Sequence, residues 1–491
     1  MSDKGFNLIV AVDTQWGISK KGNIPWKIME DYNFFLDVTK RQYIKDKKNI
    51  IIMGKNTWKT LPDTSRSLKD RITIIISTSM TIEDLNSGNL TGTESYLVKS
   101  FAEATALCNV IDGGKVFICG GSQIYDEALK KLKIDNTYIT KIYYDYGCDN
   151  FFPSHLANVD SSTSTECNTF MLNDAIRNIK IKVTFTKWGA INGTNLGEIQ
   201  YTNMLKTILS TGDFKQTRNS KTWSIFGKTM EFDLEQGFPL LTTKKMFLKG
   251  IFEELSFFLK GDTNTRHLSE KNVKIWENNT NREFLDLNGL SHYDIGDMGS
   301  MYGFNLVHFG AEYRGMDKNY ENQGFNQIQY CIHLLKTDPY SRRIIMTTYN
   351  PAKAHEGVLY PCHGLSIVFS VDKYHRLSCM MTQRSADIIC GIPFNIASYA
   401  LLIHLFCEVI NNDTNYIGNK FTPGKLIINF ADIHIYESHY SQSIRQILRE
   451  PFDFPKIVFK RKLNVLTDFV FDDIIIQNYN CYPGIIAKMV A

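Results

Sequence analysis

Gly189-Ala-Ile-Asn-Gly-Thr-Asn-Leu-Gly197 decides how this 491-residue chain is organised. Three glycines and two asparagines in so short a span read as a linker. Just upstream, Lys180–Lys187 alternates polar and apolar residues, as a terminal antiparallel strand does. Just downstream, a helical pattern begins near Glu198. The chain therefore divides into residues 1–188, a short linker at 189–196, and residues 197–491. At roughly 150 residues per domain, the length suits about three domains or two large ones.

Further upstream, short apolar runs alternate with helical patterns. The runs are Phe6–Val12, Asn49–Met53, Ile72–Ser77, Val116–Cys119 and Thr137–Tyr144. Runs of this kind suit strands buried on both faces, so the first domain is expected to be α/β with a mostly parallel sheet. The second half mixes long helices (Lys249–Leu259, Ala397–Ile410) with strands (Leu365–Val371, Leu377–Gln383, Leu426–Phe430), which is α+β.

Composition narrows the function classes. A hydrophobic fraction of 43% and a charged fraction of 22% suit cored globular domains and exclude collagen-like or disordered chains. A net charge of +4 is too weak to announce a nucleic-acid scaffold. The ten cysteines contain no Cys-x-x-Cys pair, so neither a structural zinc nor any other metal is expected. Their irregular spacing suits free thiols in a reducing compartment, with the cytosol as the default. The start, Met1-Ser-Asp-Lys-Gly-Phe6, lacks the pattern of a signal peptide. The most apolar stretch, Ser398–Ile410, is interrupted by His404 and Glu408, so no membrane span is expected.

Several residues carry chemistry. Gly22-Asn-Ile-Pro-Trp26 is a turn before a helix in which Asp31 shares a face with Phe34, Phe35 and Val38, while Glu30, Asn33 and Asp37 lie opposite. A carboxylate on an apolar face favours a proton or a cationic ligand; from this segment alone, a helix-start cap or dipole partner fits slightly better. Val116-Phe-Ile-Cys-Gly-Gly-Ser-Gln-Ile-Tyr125 reads strand, double glycine, helix, where backbone amides can approach a phosphate, or where the chain makes a plain tight turn. It is not a Gly-x-Gly-x-x-Gly fingerprint. Met53-Gly-Lys-Asn-Thr-Trp58 offers a second anion site or an ordinary turn with a solvated lysine.

These segments, with Leu61-Pro62, Leu68-Lys-Asp-Arg71 and Phe151-Phe-Pro153, resemble dihydrofolate reductase across nearly all of residues 1–188. The resemblance implies that Asp31 binds the pterin ring and helps protonate its imine. Ile9, Val10, Phe35, Thr60, Leu68, Cys119 and Thr140 would line the folate pocket, and Arg71 would pair with the substrate's glutamate carboxylate. NADPH would be held by Lys55, Asn56, Thr57, Ser77, Thr78 and the run Gly120, Gly121, Ser122, Gln123, Ile124 and Tyr125. Ala11, Ile18 and Trp26 would lie near its nicotinamide. Thr78 stands where many relatives carry an arginine for the 2′-phosphate.

In the second half, Tyr360-Pro-Cys-His-Gly364 offers Cys362 as a nucleophile or as a small buried hydrophobe. An ordinary cysteine, with a pKa of about 8.5, is mostly thiol at neutral pH. A nearby arginine would lower that value. Arg218, Arg342, Arg343 and Arg384 are the candidates, and Arg342 and Arg343 also suit plain solvated surface. Glu254 falls inside the apolar arc of Ile251–Leu259, with Glu253 and Ser256 outside it, as a functional buried carboxylate or as the edge of the stripe. In Asp432-Ile-His-Ile-Tyr436, His434 and Tyr436 share a strand face, ready for a sugar hydroxyl or for solvent.

Phe238-Pro-Leu-Leu-Thr-Thr-Lys-Lys245, Arg342-Arg-Ile-Ile-Met346, Pro361-Cys-His363, Gln383-Arg-Ser-Ala-Asp387 and Pro393-Phe-Asn-Ile-Ala-Ser398 resemble thymidylate synthase. So do Trp276, Asn279, Tyr302 and His434-Ile-Tyr436, and the match runs from about Gly197 to Ala491. By resemblance, Cys362 adds to the uracil of dUMP, Asn395 orients it, Glu254 supports proton transfers through water, and Tyr302 assists loss of the ring proton. Arg218, His363, Gln383, Arg384, Ser385, Asp387, His434 and Tyr436 would hold dUMP, with Arg342 and Arg343 reaching the phosphate from a partner subunit in a homodimer. Trp276, Asn279, Asp387, Phe394 and Ala491 would contact the cosubstrate 5,10-methylenetetrahydrofolate. Departures from the family are Gly303-Phe-Asn-Leu-Val-His308, Tyr349 and the ending Met-Val-Ala491.

Together the halves resemble the bifunctional family in which dihydrofolate released by one enzyme is reduced by the other. Antifolates are implied ligands; neither a membrane nor a nucleic acid is required. Two other classes remain at this point. One is an NAD-linked dehydrogenase fused to a cysteine hydrolase, against which stand the missing Rossmann fingerprint and the arginine set. The other is a folate or nucleotide sensor without turnover.

Overall fold

The computed structural model describes residues 4–61, 68–86, 94–157, 164–190, 195–218 and 220–490. Pro62, Ala491 and residues 191–194 of the expected linker lie outside the described residues. The chain divides into two compact units, Met1–Asn192 and Gly193–Ala491.

The first unit is built on one eight-stranded sheet. Its strands are β1 (Phe6–Val12), β3 (Asn49–Gly54), β4 (Arg71–Ile76), β5 (Glu94–Val98), β6 (Val116–Ile118), β7 (Ile134–Ile142), β9 (Glu166–Asp174) and β10 (Ile179–Gly189), beside the small pair β2 (Gly17–Ser19) and β8 (Asn150–Phe151). The order is β5-β4-β3-β6-β1-β7-β10-β9. The first six pair in parallel, and β10 runs antiparallel to both β7 and β9. The Ile- and Val-rich central strands are buried on both faces, which is why they read as continuous apolar runs. Strand alternation also corrects one expectation. Val10 points with Leu8 and Val12 into the core among Ile50, Ile72 and Phe101, not toward the face shared by Ile9 and Ala11.

The second unit has a six-stranded sheet of order β11-β12-β16-β15-β14-β13. These are β11 (Asp213–Gln216), β12 (Lys221–Asp233), β13 (Ile345–Met346), β14 (Ser366–Val371), β15 (Arg376–Asp387) and β16 (Thr422–Tyr436). Only β15 and β16 pair in parallel. One face, with Ile367, Phe369, Met381 and Ile428, is buried, and the apolar helix Gly391–Asn412 packs as the core helix of this unit. That helix is long and apolar enough to cross a membrane, but it is mostly buried inside the unit.

Two helices depart from the single-faced wheel. Asp37, expected on the outer face of helix Met29–Lys40, is buried. The following segment folds back over the last turn, where the Tyr43 hydroxyl donates to the Val38 carbonyl at 3.3 Å. Glu253 and Ser256, expected outside the apolar arc of helix Leu248–Leu259, are also buried. Neighbours close on more than one side of that helix, with Phe252 against Phe471 and Phe258 against Tyr302 at ring separations of 5.5 and 5.0 Å. The Glu253 carboxylate is satisfied by Lys271 at 2.6 Å.

Candidate active sites

In the first unit, Asp31 lies in the first turn of its helix but does not cap it. Its carboxyl bonds sideways to the side chains of Thr140 on β7 and Trp26. Although the residue stays partly accessible, the surrounding protein desolvates the carboxyl and pushes its pKa to about 6. In register, Thr140 is the partner of Ala11 and Tyr138 that of Ile9, so these four share the face on which Asp31 stands. Arg71, at the start of β4, is also buried. Its guanidinium lies 5.8 Å from the Phe35 ring centre, donates to Thr39 Oγ1 at 2.8 Å and to the Leu68 carbonyl at 3.3 Å, and burial lowers its pKa to about 10. Thr140 and Trp26 thus hold the Asp31 carboxyl, and Phe35, Leu68 and Thr39 surround the Arg71 guanidinium. Thr60 instead turns its hydroxyl to the Thr57 carbonyl in its own helix.

On the neighbouring rim, Gly54 N donates to the Gly120 carbonyl at 2.7 Å, which draws two strand-to-helix turns together. Neither helix Lys55–Thr60 nor helix Ser122–Lys131 has a side-chain cap, so backbone donors at these turns stay available to an anion. Gly120 adopts φ +103°, and a Cβ there would come to 3.0 Å from the Tyr125 ring. Around Gly121 the nearest group is Thr57 Oγ1, 3.4 Å from where a Cβ would sit. Lys55 Nζ donates to Ser79 Oγ at 2.8 Å, while Ser77 Oγ is engaged by the amides of Ser79 and Met80. Ser77 therefore shapes this loop, and Ser79, which the sequence reading missed, stands beside the lysine. Ile124, Tyr125 and Ile18 pack against the core cluster, with the Tyr125 hydroxyl on the Ile9 carbonyl at 2.8 Å. A glycine cradle with open amides and one lysine fits a dinucleotide with phosphates.

In the second unit, Cys362 sits in a loop pinned from two sides. Its amide donates to the Tyr302 hydroxyl at 2.9 Å, and its carbonyl accepts from Arg384 N at 2.7 Å. Arg384 Nη2 lies 3.7 Å from Cys362 Sγ and donates to the Tyr360 carbonyl at 3.0 Å. The expectation of a lowered thiol pKa needs correcting. Arg384 does pull it down, but burial outweighs that single guanidinium and the pKa lies above its ordinary value. Tyr302 holds a strained φ of +39° and stacks on His363 at 4.4 Å. His363 bonds to the Tyr399 hydroxyl at 3.0 Å, and burial lowers its pKa to about 3, keeping the ring neutral. Tyr399 was also missed; its signal was its place one helical turn after Asn395.

Glu254 accepts from Trp276 Nε1 at 2.8 Å, and burial raises its pKa to about 7. Asn395 donates to Gln383 Oε1 at 3.1 Å, and Gln383 in turn donates to the Ser385 carbonyl at 3.0 Å. Asp387 is the register partner of His434, whose ring stands 5.0 Å from that of Tyr436. The Tyr436 hydroxyl feels both Asp387 and Cys362. Asn279 is buried behind Trp276, and Phe394 is half-buried on the first turn of the core helix. Arg342 and Arg343 are exposed before β13 at one edge of the sheet, and Arg218 is exposed on the hairpin at the other. Ala491 lies outside the described residues.

The dihydrofolate reductase family profile matches residues 5–182, and the thymidylate synthase family profile matches residues 199–491. Among curated proteins, the chain is 33% identical to the bifunctional dihydrofolate reductase-thymidylate synthase of Leishmania amazonensis over 99% of this chain and 95% of that protein. It is 35% identical to that of Paramecium tetraurelia over 99% of both chains. It is 33% identical to bifunctional dihydrofolate reductase-thymidylate synthase 2 of Arabidopsis thaliana, over 99% of this chain and 88% of that one. Both halves are matched in order and at full length, and the chain belongs to the bifunctional dihydrofolate reductase-thymidylate synthase family.

Proposed function

We propose that the two clusters are the working sites of consecutive reactions, with Asp31 as the acid of the first unit and Cys362 as the nucleophile of the second. The chain methylates dUMP to dTMP and reduces dihydrofolate. Methylenetetrahydrofolate supplies the one-carbon unit and its hydride, and NADPH supplies the hydride for dihydrofolate. The chain's own residues bind, orient and protonate.

In the synthase, Cys362 Sγ bonds to the uracil ring, with Arg384 beside the sulfur and Tyr302 fixing the loop. Asn395, held by Gln383, orients the base, with Ser385 and neutral His363 beside it; His434 and Tyr436 take the sugar. Glu254, poised near neutrality, holds or releases a proton through ordered water. Trp276, Asn279, Asp387 and Phe394 are assigned to the folate, and Arg218 to the phosphate. In the reductase, Asp31 supplies the proton, Arg71 meets the substrate carboxylate, and the Gly120–Gly121 cradle with Lys55, Thr57 and Ser79 holds NADPH.

A homodimer completes the synthase. Ile345, Val368, Met380 and Ile427 are register partners across four adjacent strands and form an apolar row on the sheet's open face. Ile345 is 46% exposed and Met380 39%. A second copy laid on this face would cover the row and bring its Arg342 and Arg343 toward this chain's phosphate site. That added positive charge would act with Arg384 against the effect of burial on the Cys362 thiol. All ten cysteines are free, which supports the cytosol as the compartment.

The observation that carries this reading is Cys362 Sγ at 3.7 Å from the Arg384 guanidinium, in a loop held by the Tyr302 hydroxyl. Supplying dUMP, methylenetetrahydrofolate and NADPH to the purified chain tests it. Equal amounts of dTMP formed and NADPH consumed are expected, and Cys362→Ala should abolish both while reduction of added dihydrofolate persists. Undiminished dTMP synthesis by that variant would refute the assignment.

A further inference from the structure

Three groups of different ligand chemistry converge in the second unit, none of them the Cys362 sulfur. A carboxylate oxygen of Asp387, Cys390 Sγ and a ring nitrogen of His439 lie within 4.8 Å of one another. They come from the end of β15, from the residue preceding the core helix, and from the turn Glu437–His439. No short spacing motif announces them.

His439 points to a ligand independently. It is 1% exposed, and its Nε2 lies 2.7 Å from the Lys488 carbonyl. A carbonyl only accepts, so Nε2 carries a hydrogen, and the tautomer with that hydrogen has its lone pair on Nδ1. That Nδ1 is buried without a hydrogen-bond partner and faces Asp387 Oδ1 at 3.9 Å, too far for a hydrogen bond. An imidazole that donates one N–H to a carbonyl and turns its other nitrogen to a carboxylate and a thiol has the arrangement of a metal ligand with its orienting partner. Asp387 Oδ1 is itself oriented by the amides of Ile389 at 2.8 Å and Cys390 at 3.1 Å. Asp387 and Cys390 remain half-buried, which leaves an entry path. The buried ammonium of Lys244, on the Ile389 carbonyl, works against a cation, and the carboxylate and thiolate offset it.

We propose that Asp387, Cys390 and His439 form a site for a thiophilic divalent cation of the zinc class, with the fourth position open to water, and that filling it switches off the synthase. Oxygen, sulfur and nitrogen donors in this number suit such an ion. Cys390 gives its thiol proton to solvent as the sulfur–metal bond forms, and no electrons are exchanged. The switching consequence rests on the assignment of Asp387 to folate.

Titrating the metal-free full-length chain with cobalt(II), then zinc, tests the site. A thiolate-to-cobalt charge-transfer band is expected, bleached by zinc, absent in Cys390→Ala and in Cys390→Ser, and weakened at least about tenfold in His439→Gln. Zinc should inhibit the synthase, leave the reductase untouched, and inhibit Cys390→Ala far less although that variant keeps its basal dTMP synthesis. A band that survives in both Cys390 variants, or equal zinc inhibition of Cys390→Ala, overturns the proposal. Inhibition that depends on Cys390 yet is not relieved by raising methylenetetrahydrofolate upholds the metal site and overturns the folate assignment of Asp387.

Discussion

Replacing Asp31 with asparagine should stabilise the reductase unit while disabling it. Burial raises this carboxyl from 3.8 to about 6 in the folded chain. A raised acid takes up protons on folding between those two values, so its contribution to stability falls as pH rises through that window. The full penalty is present at about pH 7. A shift of about two pK units corresponds to about 3 kcal/mol. Asparagine carries no charge and escapes that penalty, but it has one acceptor oxygen for the two donors, Thr140 and Trp26. Losing one of those bonds costs about 1 kcal/mol. The net gain is therefore about 2 kcal/mol near pH 7, and by about pH 4 it turns into a loss approaching about 1 kcal/mol, because the parent carboxyl is neutral as well and only the lost hydrogen bond remains. Hydrogen exchange of the β1 and β7 amides in the full-length chain reads this, with the synthase unit as internal reference. Dihydrofolate reduction should fall by at least about 100-fold, the usual worth of a positioned acid. A variant equally stable relative to the parent at both pH values would show that the carboxyl is not desolvated and would refute the reasoning.

Three further outcomes are expected. Trp276→Phe removes the donor that holds the Glu254 pKa down, so the inflection in the synthase pH–kcat profile should move above about 7, and Glu254→Gln should erase it; an unmoved profile would contradict the role. Tyr302→Phe keeps the ring stack but leaves the Cys362 amide unsatisfied, costing about 1–3 kcal/mol, or roughly 5–150-fold in synthase kcat/KM, with the reductase unchanged. Met380→Arg places a charge in the open apolar row and should yield monomers in sedimentation, with the synthase lost and the reductase kept; an intact dimer would place the interface elsewhere.

Much of this was legible in the sequence because the signals were local. Strands buried on both faces announced themselves as isoleucine and valine runs, and β1 begins and ends where the apolar run Phe6–Val12 does. The edge strands β5 and β9 carry polar residues on exposed positions and gave no comparable run. A wheel drawn for one buried face misplaced Asp37, Glu253 and Ser256, since tertiary neighbours decide how many faces a helix hides. The site residues came from ordered motifs, but a motif does not say which way a strand residue points. Val10 therefore went to the wrong face. Nor does it weigh desolvation against charge, which is why the Cys362 pKa moved opposite to expectation. Ser79 beside Lys55 and His439 beside Asp387 depend on contacts between segments remote in sequence, whereas Tyr399 had a local signal in its place one turn after Asn395.

The central claim is that Cys362 forms a transient bond to the pyrimidine. Incubating the full-length chain with a fluorinated dUMP analogue and methylenetetrahydrofolate, then mapping peptides by mass spectrometry, examines that bond directly. The account predicts a nucleotide–folate adduct on the peptide bearing Cys362 and none on the other nine cysteines. An adduct on another cysteine, or none from a chain that still makes dTMP, would contradict it.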